Sequence, residues 1–139
     1  MPFVIDYDNT TQQVVTDINR FSPSSLQYNS SGATLVRLYS YVVLVEDCSL
    51  NAATKKYVPN TNLKPITGRF SFSEYLPLSQ DKSFSICLKT DLNDVLAGRH
   101  NLQAWVFLGA ELCRRNNKGI EVLYNASVCK LVQSFVCSL

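Results

Sequence analysis

The fold is decided by the stretch LQAWVFL, residues 102–108, which carries the only tryptophan of the chain and no glycine, proline or charged residue. With a period of two, its faces are Leu102, Ala104, Val106, Leu108 and Gln103, Trp105, Phe107. Both faces are largely apolar, a pattern typical of a strand that is covered on both sides. We therefore predict that this stretch is the central strand of a sheet, with other strands packed over both of its faces.

Three further runs have the composition of strands. Residues 34–46 form the longest one and are rich in β-branched and aromatic residues. Residues 83–89 alternate most clearly, with every second side chain polar, and the pattern predicts one face toward the core. Residues 68–73 alternate as well, and we expect Phe70 and Phe72 to point inward.

The chain contains about eight such segments, separated by short turn signals. This pattern predicts an all-β fold, an antiparallel two-sheet β-sandwich with either an immunoglobulin-like or a jelly-roll topology. One short helical turn is expected near residues 91–97, between capping residues and Gly98. The length of 139 residues corresponds to a single domain over residues 1–139.

Composition narrows the class of partner. Charged residues make up 17% of the chain and the net charge is +2, which is too small to indicate a nucleic-acid partner. No run reaches the ~18 apolar residues of a membrane span, and residues 1–6 lack the features of a signal peptide. A weakly charged, hydrogen-bonding surface suits a soluble protein of a virion or of the extracellular space, and the compartment itself stays open.

The five cysteines are Cys48, Cys87, Cys113, Cys129 and Cys137, and no two have the spacing of a zinc-binding pair. Most lie in apolar runs, so we interpret them as small, buried, reduced side chains. One disulfide, or a thiol that joins two chains, is the alternative. No metal or other cofactor is predicted.

Catalytic signals are missing from the sequence. His100 is the only histidine, and the chain has neither a Gly-x-Ser-x-Gly motif nor a phosphate-binding glycine loop. A Cys–His pair would need an exposed, electropositive thiol, which buried cysteines do not provide. We therefore predict that the protein is not an enzyme and assign no catalytic residue; a small hydrolase is the third interpretation.

Two groups of residues are candidates for contact with a ligand or partner. Tyr28, Tyr57 and Tyr75 lie in or near loops and have rings that can stack on a ligand, whereas Tyr39 and Tyr41 are expected in the core. Arg114 and Arg115 form a basic cluster at a hairpin tip that continues to Gly119.

The leading functional hypothesis is a non-catalytic structural or assembly module. It would act through self-association as a homo-oligomer, or through contacts with other proteins of an assembly. A tail, fibre, spike or decoration component of a viral or phage particle acts in this way. The alternative is a β-sandwich module that binds a carbohydrate or a peptide.

Overall fold

The structure, a computed structural model, describes residues 3–26, 32–46, 48–59, 68–79, 81–96, 102–123 and 128–137. This part of the chain is almost entirely β-structure, with a 3₁₀ turn at Pro23–Ser25 and one short helix, α1, at Asn93–Leu96. The strands are β1 (Phe3–Asp8), β2 (Gln13–Phe21), β3 (Leu35–Glu46), β4 (Cys48–Asn51), β5 (Lys56–Pro59), β6 (Gly68–Phe72), β7 (Leu76–Pro77), β8 (Phe84–Asp91), β9 (Leu102–Asn116), β10 (Gly119–Val122) and β11 (Val128–Cys137).

The strands form two antiparallel sheets and a separate hairpin. Sheet A has the order β1-β2-β8, and sheet B has the order β10-β9-β3-β6, with β11 also paired to β9 and β7 to β3. The remaining strands, β4 and β5, pair with each other. These observations confirm the predicted all-β, sandwich-like fold, and α1 lies inside the segment where a helical turn was expected.

Strand β9 is the centre of sheet B, as the sequence predicts. It pairs with β3 from Leu102, opposite Glu46, to Cys113, opposite Leu35. Its other edge pairs with β11 and then with β10. The turn between β9 and β10 ends at Gly119, whose φ of 129° favours glycine, in agreement with the predicted hairpin tip.

The core lies between the two sheets and consists of two clusters of apolar side chains. One cluster is centred on Val14 of sheet A and Val106 of sheet B, and the other on Ile18 and Leu112. Three polar side chains are buried with this core: Thr16, Ser40 and Thr90. Thr16 and Ser40 belong to strands that contribute to both clusters.

The prediction that both faces of β9 are covered is wrong. Sheet A packs over the face that contains Val106, whereas Trp105 on the opposite face is 37% exposed. Phe70 and Phe72 of β6 are likewise 55% and 43% exposed, so their expected inward orientation is also wrong. Alternation divides a strand into two faces, but it does not tell which apolar face the other sheet will cover.

The cysteines differ in their burial. Cys113 is buried, as predicted, but Cys87 and Cys129 are exposed free thiols, because they lie on the outward faces of β8 and β11. The side chains of Cys48 and Cys137 lie outside the described residues. Among the residues that the structure describes, no helix has the length and apolar character needed to cross a membrane.

Candidate functional site: an aromatic sheet surface

The outward face of sheet B carries six aromatic side chains on three neighbouring strands. We call it the aromatic face; it comprises Tyr39 and Tyr41 of β3, Phe70 and Phe72 of β6, and Trp105 and Phe107 of β9. The strand register aligns them in cross-strand rows, because Tyr41 is opposite both Phe70 and Phe107. Cross-strand neighbours on one face of a sheet lie close enough for their side chains to touch.

The rings of the aromatic face form a nearly continuous surface. Tyr41 and Phe70 are stacked with a centroid distance of 4.2 Å and an interplanar angle of 22°. Phe70 and Phe72 are almost parallel, at 5.4 Å and 5°, and Phe107 extends the row from Tyr41 at 6.3 Å. Each such pair contributes about 0.5–1.5 kcal/mol beyond its buried area, so the rings hold one another in place.

Two glycines allow the tyrosine rings to lie flat on the sheet. A Cβ atom at Gly109, which is opposite Tyr39, would overlap the ring of that tyrosine. A Cβ atom at Gly68 would overlap the ring of Tyr41 in the same way. The missing side chains of β6 and β9 therefore provide the space that the aromatic face needs.

One end of the aromatic face is polar but electrically balanced. Arg37 donates hydrogen bonds to one carboxylate oxygen of Glu111, at 2.6 Å from Nη2 and 3.2 Å from Nε. Its guanidinium also lies 3.9 Å above the Phe72 ring centroid and 4.9 Å from that of Tyr75. The ion pair is mostly buried, at 21% and 20% exposure, so its two charges neutralise each other locally.

The phenol of Tyr39 is neutral at physiological pH. Burial raises the pKa of Tyr39 above its ordinary value of 10.0, and a hydrogen bond with Cys129 and the charges of Cys129 and Glu111 add to the shift. Burial similarly raises the pKa of the thiols of Cys87 and Cys113 above 9.0, with additional contributions from Asp17 and Glu111 respectively.

Of the predicted contact residues whose side chains the structure describes, only Tyr75 lies at the edge of the aromatic face. Tyr75 lies beside Arg37, whereas Arg114 is on the β9–β10 hairpin and donates a 2.8 Å hydrogen bond to Glu121. Arg115 is exposed on the same hairpin, opposite Ile120. Tyr28, and the side chain of Tyr57 on β5, lie outside the described residues.

Sequence reasoning missed the residues that form most of the site. Tyr39 and Tyr41 are half-buried on the outward face instead of in the core, and the two phenylalanines of β6 are exposed. A signal was available, since residues 35–46 and 102–108 each have two apolar faces although a two-sheet sandwich covers only one of them. The surplus apolar face is the one that the structure leaves open.

Other kinds of site have little support among the described residues. Within them, no three His, Cys, Asp or Glu side chains are grouped as a metal site would require. His100 lies in the segment 97–101, which the structure does not describe.

Comparisons with protein families, curated proteins and solved structures found no match to this chain. The aromatic face is therefore interpreted from its own geometry and chemistry.

Proposed function

We propose that the protein is a non-catalytic contact module that associates with a second copy of itself through the aromatic face. The observation that carries the proposal is the exposure of Phe70 and Phe72, at 55% and 43%, on strand β6 at one edge of the aromatic face. Monomeric soluble proteins rarely expose contiguous apolar patches larger than a few hundred Å², and the largest patch on such a protein is often functional. Aromatic residues are also the type most enriched in the cores of protein interfaces.

The charges of the aromatic face are compatible with self-pairing. Two identical surfaces repel each other when they carry a net charge, but Arg37 and Glu111 already neutralise each other. Two β-sheets pack face to face when the side chains of their facing surfaces interdigitate, and the exposed rings of Phe70 and Phe72 are available for such packing. A second copy therefore provides a matching apolar surface without an unpaired buried charge.

The dimensions of the aromatic face suggest a weak contact. Together with the polar residues and the strand β11 that flank it, the face extends along β9 from Gln103 to Glu111 and across the sheet from β11 to β6. Strand spacing and rise give an area of roughly 400 Å², about half of the ~800 Å² that each partner buries in a stable interface. Such a contact becomes strong when many copies are held together. This is the setting of a tail, fibre, spike or decoration component of a virion, the role we propose.

The protonation of two of the three described thiols supports a non-catalytic role. A cysteine nucleophile reacts as the thiolate, and the raised pKa values of Cys87 and Cys113 keep these thiols protonated at neutral pH.

The proposal is tested by sedimentation velocity over a range from low micromolar to near-millimolar protein. The unaltered chain is expected to form dimers as the concentration rises. In the variant Phe70→Ser/Phe72→Ser, dimers should disappear, because the two most exposed rings of the contact are replaced by polar side chains while the core is unchanged. The matched control is Phe3→Ser/Val4→Ser, which removes two exposed apolar side chains from sheet A, 39% and 56% exposed, and should still dimerise.

A chain that stays monomeric throughout, or a Phe70→Ser/Phe72→Ser variant that dimerises as before, would contradict the proposal.

A second candidate function is carbohydrate binding on the same surface. It is favoured by the stacked rings of Tyr41, Phe70 and Phe72, with the Arg37 guanidinium over Phe72, because sugars combine apolar ring faces with hydroxyl groups. A glycan array distinguishes the two functions. Reproducible binding that is lost in Tyr41→Ala would support the sugar ligand, and an array without signal would remove it.

A further inference from the structure

A cavity of about 340 Å³ opens between the two sheets, next to the start of β11. Sheet A contributes Ile18 and Phe21 to its wall, sheet B contributes Leu38 and Ala110, and Val128 lies at its rim. The four wall residues are almost completely buried, whereas Val128 is 65% exposed, so the cavity is reached from the side of β11. It therefore has the form of a half-open pocket at the edge of the sandwich, beside β11.

The wall of this cavity is chemically uniform. Among the residues that the structure describes, the side chains that line the cavity are hydrocarbon, apart from the neutral Tyr39, and none of them is charged. A ligand with a charged group would lose its hydration there without gaining a partner. The cavity thus selects for neutral, apolar molecules.

The volume sets the size of the ligand. A buried apolar cavity of about 150 Å³ accommodates a benzene ring, and this cavity is about twice as large. Protein interiors rarely leave empty space of this size, because the lining atoms lose contact partners. It also falls within the range of about 300–1,000 Å³ that is usual for small-molecule pockets.

We propose that the cavity binds a neutral hydrocarbon group the size of a fused pair of aromatic rings or a medium-length alkyl chain. The ligand would lie between the side chains of Phe21 and Ala110, with its polar end, where it has one, at Val128. This site borders the proposed self-association surface, because Tyr39 and Gly109 also line it, whereas Leu38 and Ala110 belong to the buried side of sheet B.

Binding is tested with the neutral fluorescent probe N-phenyl-1-naphthylamine and with decanol as a competitor. The probe should become fluorescent on binding to the intact protein, and decanol should displace it. Decanoate at neutral pH should compete on the order of tenfold more weakly, since no cation lines the cavity. Equal competition by decanoate would contradict the neutral character of the site.

Two substitutions locate the probe. Val128→Trp closes the rim from the exposed side and should weaken binding of the probe on the order of tenfold. The matched control is Val4→Trp, which should bind the probe normally. Val4 is an exposed valine of β1 and does not line the cavity. Ala110→Ile fills the cavity from within and should have the same effect as Val128→Trp. Unchanged affinity in Val128→Trp and Ala110→Ile would overturn the proposal. So would loss of binding in Phe70→Ser/Phe72→Ser, because the probe would then be on the aromatic face.

Discussion

Single residues decide whether the aromatic face is flat. Glycine is unfavourable in a strand interior because it contributes no side chain to packing. At Gly109 this cost is offset, since the ring of Tyr39 occupies the space where a Cβ atom would be. The pair acts as one unit in which a large side chain on β3 covers the bare backbone of β9.

Gly109→Ala should destabilise the protein by about 1–3 kcal/mol, because the added methyl group displaces the Tyr39 ring. Urea unfolding measures this change in the free energy of unfolding. The control is the same substitution in a Tyr39→Leu background, where the smaller side chain leaves room and the loss should be much smaller. An equal loss in both backgrounds would show that the ring is not the cause.

At the level of the strand, two bulges bend the sheets and re-aim their side chains. In β2 the register shifts between Ile18 and Phe21, and Arg20 has a φ of 56° there. In β11 the register shifts between Leu131 and Gln133. Beyond this second bulge, Phe135 packs against the core, so the simple alternation of β11 is interrupted where the strand has to follow β9.

Arg20→Gly is expected to raise the free energy of unfolding by about 0.5–1 kcal/mol. A non-glycine residue is strained at a positive φ, and glycine relieves this strain in the folded protein. Glycine also stabilises the unfolded chain by raising its entropy, but this opposing effect on the free energy of unfolding is smaller. Thermal unfolding is the measurement, with Asn19→Gly as control. Asn19 is exposed and adjacent but has no positive φ, so its replacement should lower stability. If both substitutions change the free energy of unfolding in the same direction, strain at Arg20 is not the cause of the change.

For the whole molecule, the sequence predicts the class of fold better than the position of the site. The runs at residues 34–46 and 83–89, and the hairpin tip at Gly119, agree with β3, β8 and the β9–β10 turn, because periodicity and turn chemistry are local properties. The exposure of Phe70 and Trp105 could not be derived in this way. Their exposure arises because the three strands of sheet A cover only one face of the wider sheet B. The order of strands in a sheet cannot be derived from a local sequence pattern.

The stability of the molecule should decrease in acid. Backbone N–H groups of Thr11 and Thr10 lower the pKa of Asp8, and Arg69 and Arg114 lower those of Asp94 and Glu121. A carboxyl group with a depressed folded-state pKa stabilises the native protein above its unfolded pKa, and this contribution is lost as the pH falls through the folded value. The loss should therefore begin near the ordinary values of 4.5 and 3.8 and continue below them.

The measurement is the urea midpoint at neutral pH and below pH 3.8. The variant Asp8→Asn/Asp94→Asn/Glu121→Gln keeps the shapes of the side chains but removes their titration, so its midpoint should fall less than that of the unaltered protein. If both proteins lose the same stability, other groups are responsible for the acid sensitivity.

The hairpin of β4 and β5 pairs with neither sheet within the part of the chain that is described. Its turn, residues 52–55, is exposed and closed by its own contacts, since the Asn51 side chain accepts hydrogen bonds from the N–H groups of Ala53 and Thr54. A peptide grafted into this tip would leave the pairing of sheets A and B intact. On a particle built from many copies, such a graft would be displayed once per subunit, which makes the hairpin a natural carrier for a foreign epitope.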